Sequence, residues 1–362
     1  MYSARIGEQG TNGGRGSLVA VRAVSRPTDA STHTSCPTMI RSLLPLRTLR
    51  SRLIALALVV TALAGGCAEL EHKERELTFR VVPGEASWFS AIPTAMQELD
   101  LPVGTDKNVH AWWWKADGPD APTLLYLHGT RWNLTGQLYR LQQLHDFGFS
   151  VLAIDYRGFG KSRGGLPSEQ SVYEDAQVGW DELVKLEPDA SRRYIYGHSL
   201  GGAVAIDLAS KLSEAAGHSG GAPMPAHGLI VESTFTSLPD IARALSYEWI
   251  PWQWILAEKF DSLAKIASVR MPVLIVHGSN DNYVPARFSH ALYDAAQSPK
   301  RLLIVDGGTH NNSMRVGSEE YREALAGLFG MDEPVGEEAD TTASRRETLS
   351  SVPTRHAADS HR

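Results

Sequence analysis

Gly197-His198-Ser199-Leu200-Gly201 sets a serine between two glycines, after the β-prone Tyr194-Ile195-Tyr196 and before the helix-forming Gly202-Ala203-Val204-Ala205-Ile206. A sharp strand-to-helix turn of this kind strains and exposes the serine, and the flanking glycines let strand and helix backbones approach each other. A serine hydroxyl is a weak nucleophile at neutral pH. It needs a base within hydrogen-bond reach and a carboxylate that holds the base in the right tautomer. Two later loops supply both: Asp281 in His277-Gly278-Ser279-Asn280-Asp281, and His310 in Gly307-Gly308-Thr309-His310. Each follows the carboxyl end of a predicted strand, where open α/β sheets place their ligands. The order Ser199, Asp281, His310 is the one such a sheet uses for acyl transfer. Glu232 is the rival acid because it too ends a strand, but Ser233-Thr234-Phe235 after it reads as a structural turn.

Acyl transfer also needs two backbone donors for the oxyanion, one from the residue after the nucleophile and one from the loop after the third strand. Leu200 N–H is the first. In His128-Gly129-Thr130-Arg131 the second is Thr130 N–H, with Arg131 N–H as the alternative. His128, as the last residue of a strand, reads as a structural hydrogen-bonding group.

The elements that must position these residues alternate along the chain. Strands are predicted at 77–82, 109–115, 123–128, 150–156, 193–198, 228–232, 273–277 and 302–305, and helices at 136–147, 171–186, 200–212, 286–296 and 318–329. Ser171 and Glu174 stand at capping-box spacing for the second helix. Short apolar runs between helical stretches give an α/β fold, with a doubly wound, mostly parallel eight-stranded sheet. The stretch 238–266 breaks the alternation with Trp249, Trp252 and Trp254 beside Ile250, Ile255 and Leu256. It reads as a small helical lid bordering an acyl site, or as rings packed on the sheet edge.

These motifs join others in order: Leu127-His128-Gly129, Asp155-Tyr156-Arg157-Gly158-Phe159-Gly160-Lys161-Ser162, Glu232-Ser233-Thr234-Phe235, Phe260-Asp261-Ser262, Val284-Pro285 and Gly308-Thr309-His310-Asn311. Together they span 77 to 329, and the chain resembles the α/β-hydrolase-fold serine hydrolases, especially the single-domain, membrane-associated, esterase-, lipase- and acyl-thioesterase-like group. The resemblance implies Ser199 as nucleophile, His310 as base, Asp281 as its orienting acid, and the Thr130 and Leu200 N–H groups as the oxyanion hole. It implies an acyl-enzyme route on a carboxylic ester or thioester, a small-molecule or lipid-like acyl substrate, and no metal or cofactor. Aminopeptidase-like amide hydrolysis is the nearest alternative, and a non-catalytic binding scaffold is the alternative from another class. The loop 155–162 is expected to shape the wall beside the oxyanion loop.

Composition sets the outer limits. With 43% hydrophobic and 21% charged residues the chain can build a sizeable core. Residues 1–66 carry a net +6, leaving −12 for the remainder of a chain whose total is −6. An acidic body without a basic stripe argues against a nucleic-acid partner. Residues 1–38 are expected to be disordered, or to be an upstream extension if Met39 is the start. From Met39 run Arg41, Arg47, Arg50 and Arg52, the apolar stretch 53–64 and Gly65-Gly66-Cys67. That is the layout of an export signal, too short for a comfortable membrane span. Its end resembles a lipobox, with Ala64 where leucine is usual, so Cys67 is the expected lipidation site and the N-terminus the expected membrane attachment. An uncleaved anchor or a plain signal peptide are the alternatives. Residues 68–330 form the expected hydrolase domain, and 331–362 a disordered tail. The only cysteines are Cys36 and Cys67, so the body has no disulfide and no cysteine-based metal site.

Overall fold

The computed structural model describes residues 44–218, 223–297 and 299–331. The expectations for 1–38, for the start of the export signal at Met39 and Arg41, and for 332–362 lie outside the described residues. The chain divides into two units, Met1–Val60 and Thr61–Arg362, and the sheet lies in the second. In the first, Leu44 opens a helix, α1 (Leu44–Phe79), that continues into the second. Among the described residues no helix is long and apolar enough to cross a membrane.

Eight strands form one sheet: β1 (Met96–Val103), β2 (Lys107–Trp114), β3 (Thr123–Leu127), β4 (Ser150–Ile154), β5 (Arg193–His198), β6 (Gly228–Glu232), β7 (Val273–Gly278) and β8 (Lys300–Val305). Their order is β1-β2-β4-β3-β5-β6-β7-β8. β2 pairs antiparallel with β1 and β4, and every other pair is parallel. Residues of β3 to β7 are buried throughout, as expected of parallel strands covered by helices on both faces. Helices α2 (Leu138–Asp146), α3 (Glu169–Leu186), α4 (Leu200–His218), α8 (Arg287–Ala295), α9 (Ser313–Val316) and α10 (Ser318–Phe329) stand between or after the strands. Three short helices, α5 (Leu238–Leu245), α6 (Trp252–Ile255) and α7 (Ser262–Ile266), fill the lid segment between β6 and β7.

The strand predicted at 77–82 is corrected. Leu77 to Phe79 are the last turn of α1, and the eighth strand is β1, seventeen residues after Phe79. Phe79 is fully buried with its ring 6.5 Å from Phe159 and 6.1 Å from Phe260. Tertiary contact there overrides the local β propensity. β1 escapes a reading by hydrophobicity because it is an edge strand with most of its residues at least partly exposed, and it tolerates Pro102 there. The capping box of α3 also moves: Ser168 caps it and pairs with Ser171, so the helix begins two residues before the predicted start.

Candidate active site

β3 has β4 on one side and β5 on the other, so the chain reverses direction across the sheet at this point. Ligands bind in the crevice at such a switch. The turn from β5 into α4 is held by close backbone approach: a Cβ on Gly201 would lie 2.1 Å from Leu127 O. At the top of the turn Ser199 has φ +56°, a left-handed conformation that a non-glycine residue adopts only under constraint. Ser199 N–H donates to Glu232 O at 2.9 Å, which ties the turn to β6. Gly129, in the loop after β3, stands where a Cβ would touch Ser199 Cβ at 3.0 Å.

The loops after β7 and β8 are bonded together, with Ser279 N–H donating to Val305 O and Asn280 N–H to Gly308 O. This brings Asp281 to His310. His310 Nδ1–H donates to Asp281 Oδ2 at 2.8 Å, while Asp281 Oδ1 accepts from Tyr283 N–H at 2.8 Å and Val284 N–H at 2.9 Å. Burial alone would raise the Asp281 carboxyl, but the His310 hydrogen bond and charge and the two backbone donors outweigh it and hold the carboxyl below its ordinary value. With Nδ1 committed, Nε2 is the imidazole nitrogen left for the serine. Ser199 and His310 line the same two cavities, although among the described residues no hydrogen bond joins Ser199 Oγ to His310. Serine–base contacts of this kind often close only when substrate binds.

Of the proposed oxyanion donors, Thr130 N–H and Leu200 N–H donate to no protein acceptor among the described residues. Leu200 is the first residue of α4, where helix N–H groups lack intrahelical partners. Arg131 N–H, the alternative, is engaged with Phe79 O at 2.9 Å. Glu232, the rival acid, is turned away from His310: Oε1 accepts from Arg140 Nη1 at 2.8 Å and Oε2 from Tyr196 OH at 2.6 Å.

Three groups escaped the sequence reading. His198 Nε2–H donates to His310 O at 2.8 Å, and burial pushes this imidazole well below its ordinary value, keeping it neutral. Arg140 Nη2 and Tyr139 OH donate to Asn311 O at 3.3 and 3.0 Å. Both pin the loop that carries His310. Asp155, assigned only to a shaping loop, holds the segment after Gly129 from below: Oδ1 accepts from Leu134 N–H at 2.9 Å, His128 Nε2 stands 3.4 Å from it, and His110 Nδ1 lies 3.6 Å from Oδ2. Burial disfavours the Asp155 charge, yet His110 and His128 together lower its carboxyl below the ordinary value. Nothing but sequence-distant pairing would have revealed these contacts.

Two cavities meet at Ser199. The first, about 440 Å³, is walled by Leu70, Leu77, Phe235, Leu238, Ile241 and Trp252, among others. The second, about 360 Å³, is walled by Trp88, Arg131, Trp132, Gln137, Tyr139 and Asn311, among others, and among the described residues no Asp or Glu lines it. Both reach the lower range of ligand sites. The three lid tryptophans divide: Trp252 lines the apolar cavity, whereas Trp249 and Trp254 are 79% and 84% exposed and line neither cavity. Among the described residues no group of three or more His, Cys, Asp or Glu could hold a metal ion.

Comparison with known proteins follows the same lines. Residues 119–226 match the family model for serine aminopeptidase, S33. The uncharacterized protein Rv2307c of Mycobacterium tuberculosis is 31% identical over 73% of this chain and 90% of its own length. Lysophosphatidylserine lipase ABHD12 of Danio rerio is 32% identical over 56% of this chain and 55% of its own length, so the match spans about half of that protein. Among solved structures, the Pyrococcus furiosus esterase Pf2001 superposes with a TM-score of 0.53 at 21% identity, over 69% of this chain and 98% of the esterase. That last likeness concerns the fold.

Proposed function

The chain belongs to the α/β-hydrolase-fold hydrolases, and from that premise we propose that it is a serine hydrolase cleaving a carboxylic ester or thioester through an acyl-enzyme. The observation that carries the reading is Ser199, held at φ +56° on a strand–helix turn, in cavities it shares with an imidazole bonded to a buried carboxylate. Ser199 Oγ attacks the carbonyl carbon as His310 Nε2 takes its proton. Leu200 and Thr130 N–H receive the oxyanion, His310 returns the proton to the leaving group, and water then releases the acyl group by the same route.

The apolar cavity favours an apolar acyl group, and the polar one a hydrophilic leaving group. The lipase name of one relative supports a lipid-like ester. The family model's name supports amide cleavage instead, but an aminopeptidase needs a carboxylate for the substrate's ammonium group. The polar cavity offers none, and the Glu74 carboxylate in the apolar cavity already accepts two backbone hydrogen bonds. Ester or thioester therefore stands first. For location we propose export and attachment to a membrane through the N-terminus, with Cys67, exposed on α1, as the lipidated residue.

Labelling the full chain with a fluorophosphonate probe tests the reading, since only an activated serine reacts quickly. Rapid labelling that disappears in Ser199→Ala is expected. Equal labelling of the variant would remove Ser199 from its role. Turnover of p-nitrophenyl esters, acyl-thioesters and aminoacyl amides then ranks the substrate classes.

A further inference from the structure

The part of α1 that follows Cys67 does more than connect a leader to a domain. Leu70, Lys73, Glu74, Leu77 and Thr78 form one wall of the apolar cavity, facing Leu245, Trp252, Ile255 and Leu256 of the lid across the space that holds Ser199. Leu70 and Leu77 are exposed, at 57% and 74%, so they stand at the rim. Between them Glu74 is 7% exposed. Its Oε2 accepts from Ala257 N–H and its Oε1 from Glu258 N–H, both at 2.8 Å. Those two donors lie in the link between α6 and α7, more than 180 residues along the chain.

The first residue of α3 bonds the same link. Glu258 Oε2 accepts from Glu169 N–H and Glu169 Oε2 from Lys259 N–H, each at 2.6 Å. A carboxylate that satisfies two consecutive backbone donors with separate oxygens fixes both the position and the tilt of that link. Charge-assisted bonds of this type are about twice as strong as neutral ones. Removing the carboxylate leaves one buried and one part-buried N–H group without a protein partner among the described residues. Among the described residues no other side chain bonds those two N–H groups, so there the hold of α1 on this link rests on Glu74.

We propose that Glu74 is a positioning residue that latches the lid to α1, and that the 70–78 face of α1 is the wall that selects the acyl chain. This rests on the serine-hydrolase reading for its chemistry, but the wall itself would bind an apolar chain without catalysis. It also gives the N-terminus a second purpose. A helix rises about 1.5 Å per residue, so Leu70 and Leu77 stand about 5 and about 15 Å along α1 from Cys67. A chain attached to a membrane at or before Cys67 holds the rim of the acyl cavity at the lipid surface, where a long-chain substrate enters along α1.

The full chain carrying Glu74→Ala, Glu74→Gln or Leu77→Ala tests this with p-nitrophenyl laurate and p-nitrophenyl acetate. Glu74→Ala raises KM for laurate at least about tenfold more than for acetate. Glu74→Gln gives an intermediate split of about threefold, because its amide oxygen accepts one of the two bonds while its NH2 group cannot accept the other. Leu77→Ala, a rim residue whose loss leaves the melting temperature unchanged, gives a smaller split of about threefold. Equal changes for both esters in Glu74→Gln and Leu77→Ala overturn the proposal, even if Glu74→Ala fails to fold. Binding of cis-parinaric acid to Ser199→Ala separates this from the catalytic reading. It should weaken about tenfold when Glu74→Ala is added and about threefold when Leu77→Ala is added. If the wild type cleaves no ester but these losses appear, the hydrolase reading falls and the wall stands. If binding is unchanged, the wall falls.

Discussion

Asp281 and Glu232 stand at the ends of neighbouring strands, and both side chains are completely buried. Their partners differ in kind. Asp281 divides its oxygens between two backbone N–H groups and an imidazole that lines the cavity; Glu232 faces a buried guanidinium and the hydroxyl of Tyr196. An imidazole can gain and lose a proton during a reaction, whereas Arg140 stays charged throughout. The comparison teaches that burial and strand position do not mark a catalytic carboxylate. In the proposed reading, what sets Asp281 apart is a titratable partner that lines the cavities. The Arg140–Glu232 pair still serves the site, since Arg140 also holds Asn311 O beside His310.

The comparison breaks first at Asp281. Asp281→Asn leaves the shape intact but favours the wrong tautomer of His310, and kcat should fall by about ten-thousandfold with little change in melting temperature. Glu232→Gln should do the reverse. It leaves the Arg140 charge buried without its counter-ion, costing about 3 to 5 kcal/mol of folding free energy, while kcat per folded molecule stays within about threefold. Denaturant titration and active-site titration on the two variants separate these outcomes. A severe kcat loss in Glu232→Gln beside a mild one in Asp281→Asn would exchange their roles.

A third buried carboxylate sharpens the contrast by pH. Asp155 is held below its ordinary value of 3.8, so its contribution to stability is complete above that value and is lost as pH falls through the lowered one. His110 loses some basicity to burial, but Asp155 and Glu98 more than compensate and raise it above 6.5, so its contribution is complete below 6.5 and is lost as pH rises through the raised value. Melting temperatures of wild type and Asp155→Asn should therefore differ most between pH 3.8 and 6.5, and the gap should narrow as pH rises through the raised His110 value. A gap that widens steadily with pH would show that His110 is not paired with this carboxylate.

The sequence carried most of this architecture because β3 to β7 are continuous apolar runs, and a run buried on both faces announces itself without any partner. The glycine-bearing turns that carry Ser199 and Asp281 follow such runs, and His310 lies in a glycine-bearing loop after the half-buried β8. β1 was not, because Met96-Gln97-Glu98-Leu99-Asp100-Leu101 carries three polar residues and its pairing with β2 is what makes it a strand. The end of α1 was misread because Leu77-Thr78-Phe79-Arg80-Val81-Val82 has strand composition, while the contacts that keep Phe79 helical come from Phe159 and Phe260. Arg140, His198, Asp155 and Glu74 act through bonds to chain segments far from them, and local pattern contains no trace of those.

The lid offers the smallest and most discriminating effect. Its tryptophans look alike in sequence, yet Trp252 is half-buried on the wall of the apolar cavity and Trp254, two residues later, is 84% exposed and lines neither cavity. Trp252→Ala should raise KM for a long-chain ester by about tenfold, the loss expected when roughly two methylenes of the acyl chain give up their contact at about 0.8 kcal/mol each. Acetate has no chain to lose and provides the control, so its KM should move by less than about twofold. Trp254→Ala should leave both esters within about twofold, since solvent already surrounds its ring. Equal losses from the two variants on the long-chain ester would mean that the lid closes onto substrate with its outer face inward. Equal losses on both esters from Trp252→Ala, together with a lower melting temperature, would make Trp252 core packing and leave the acyl group to be held by α1 and α5 alone.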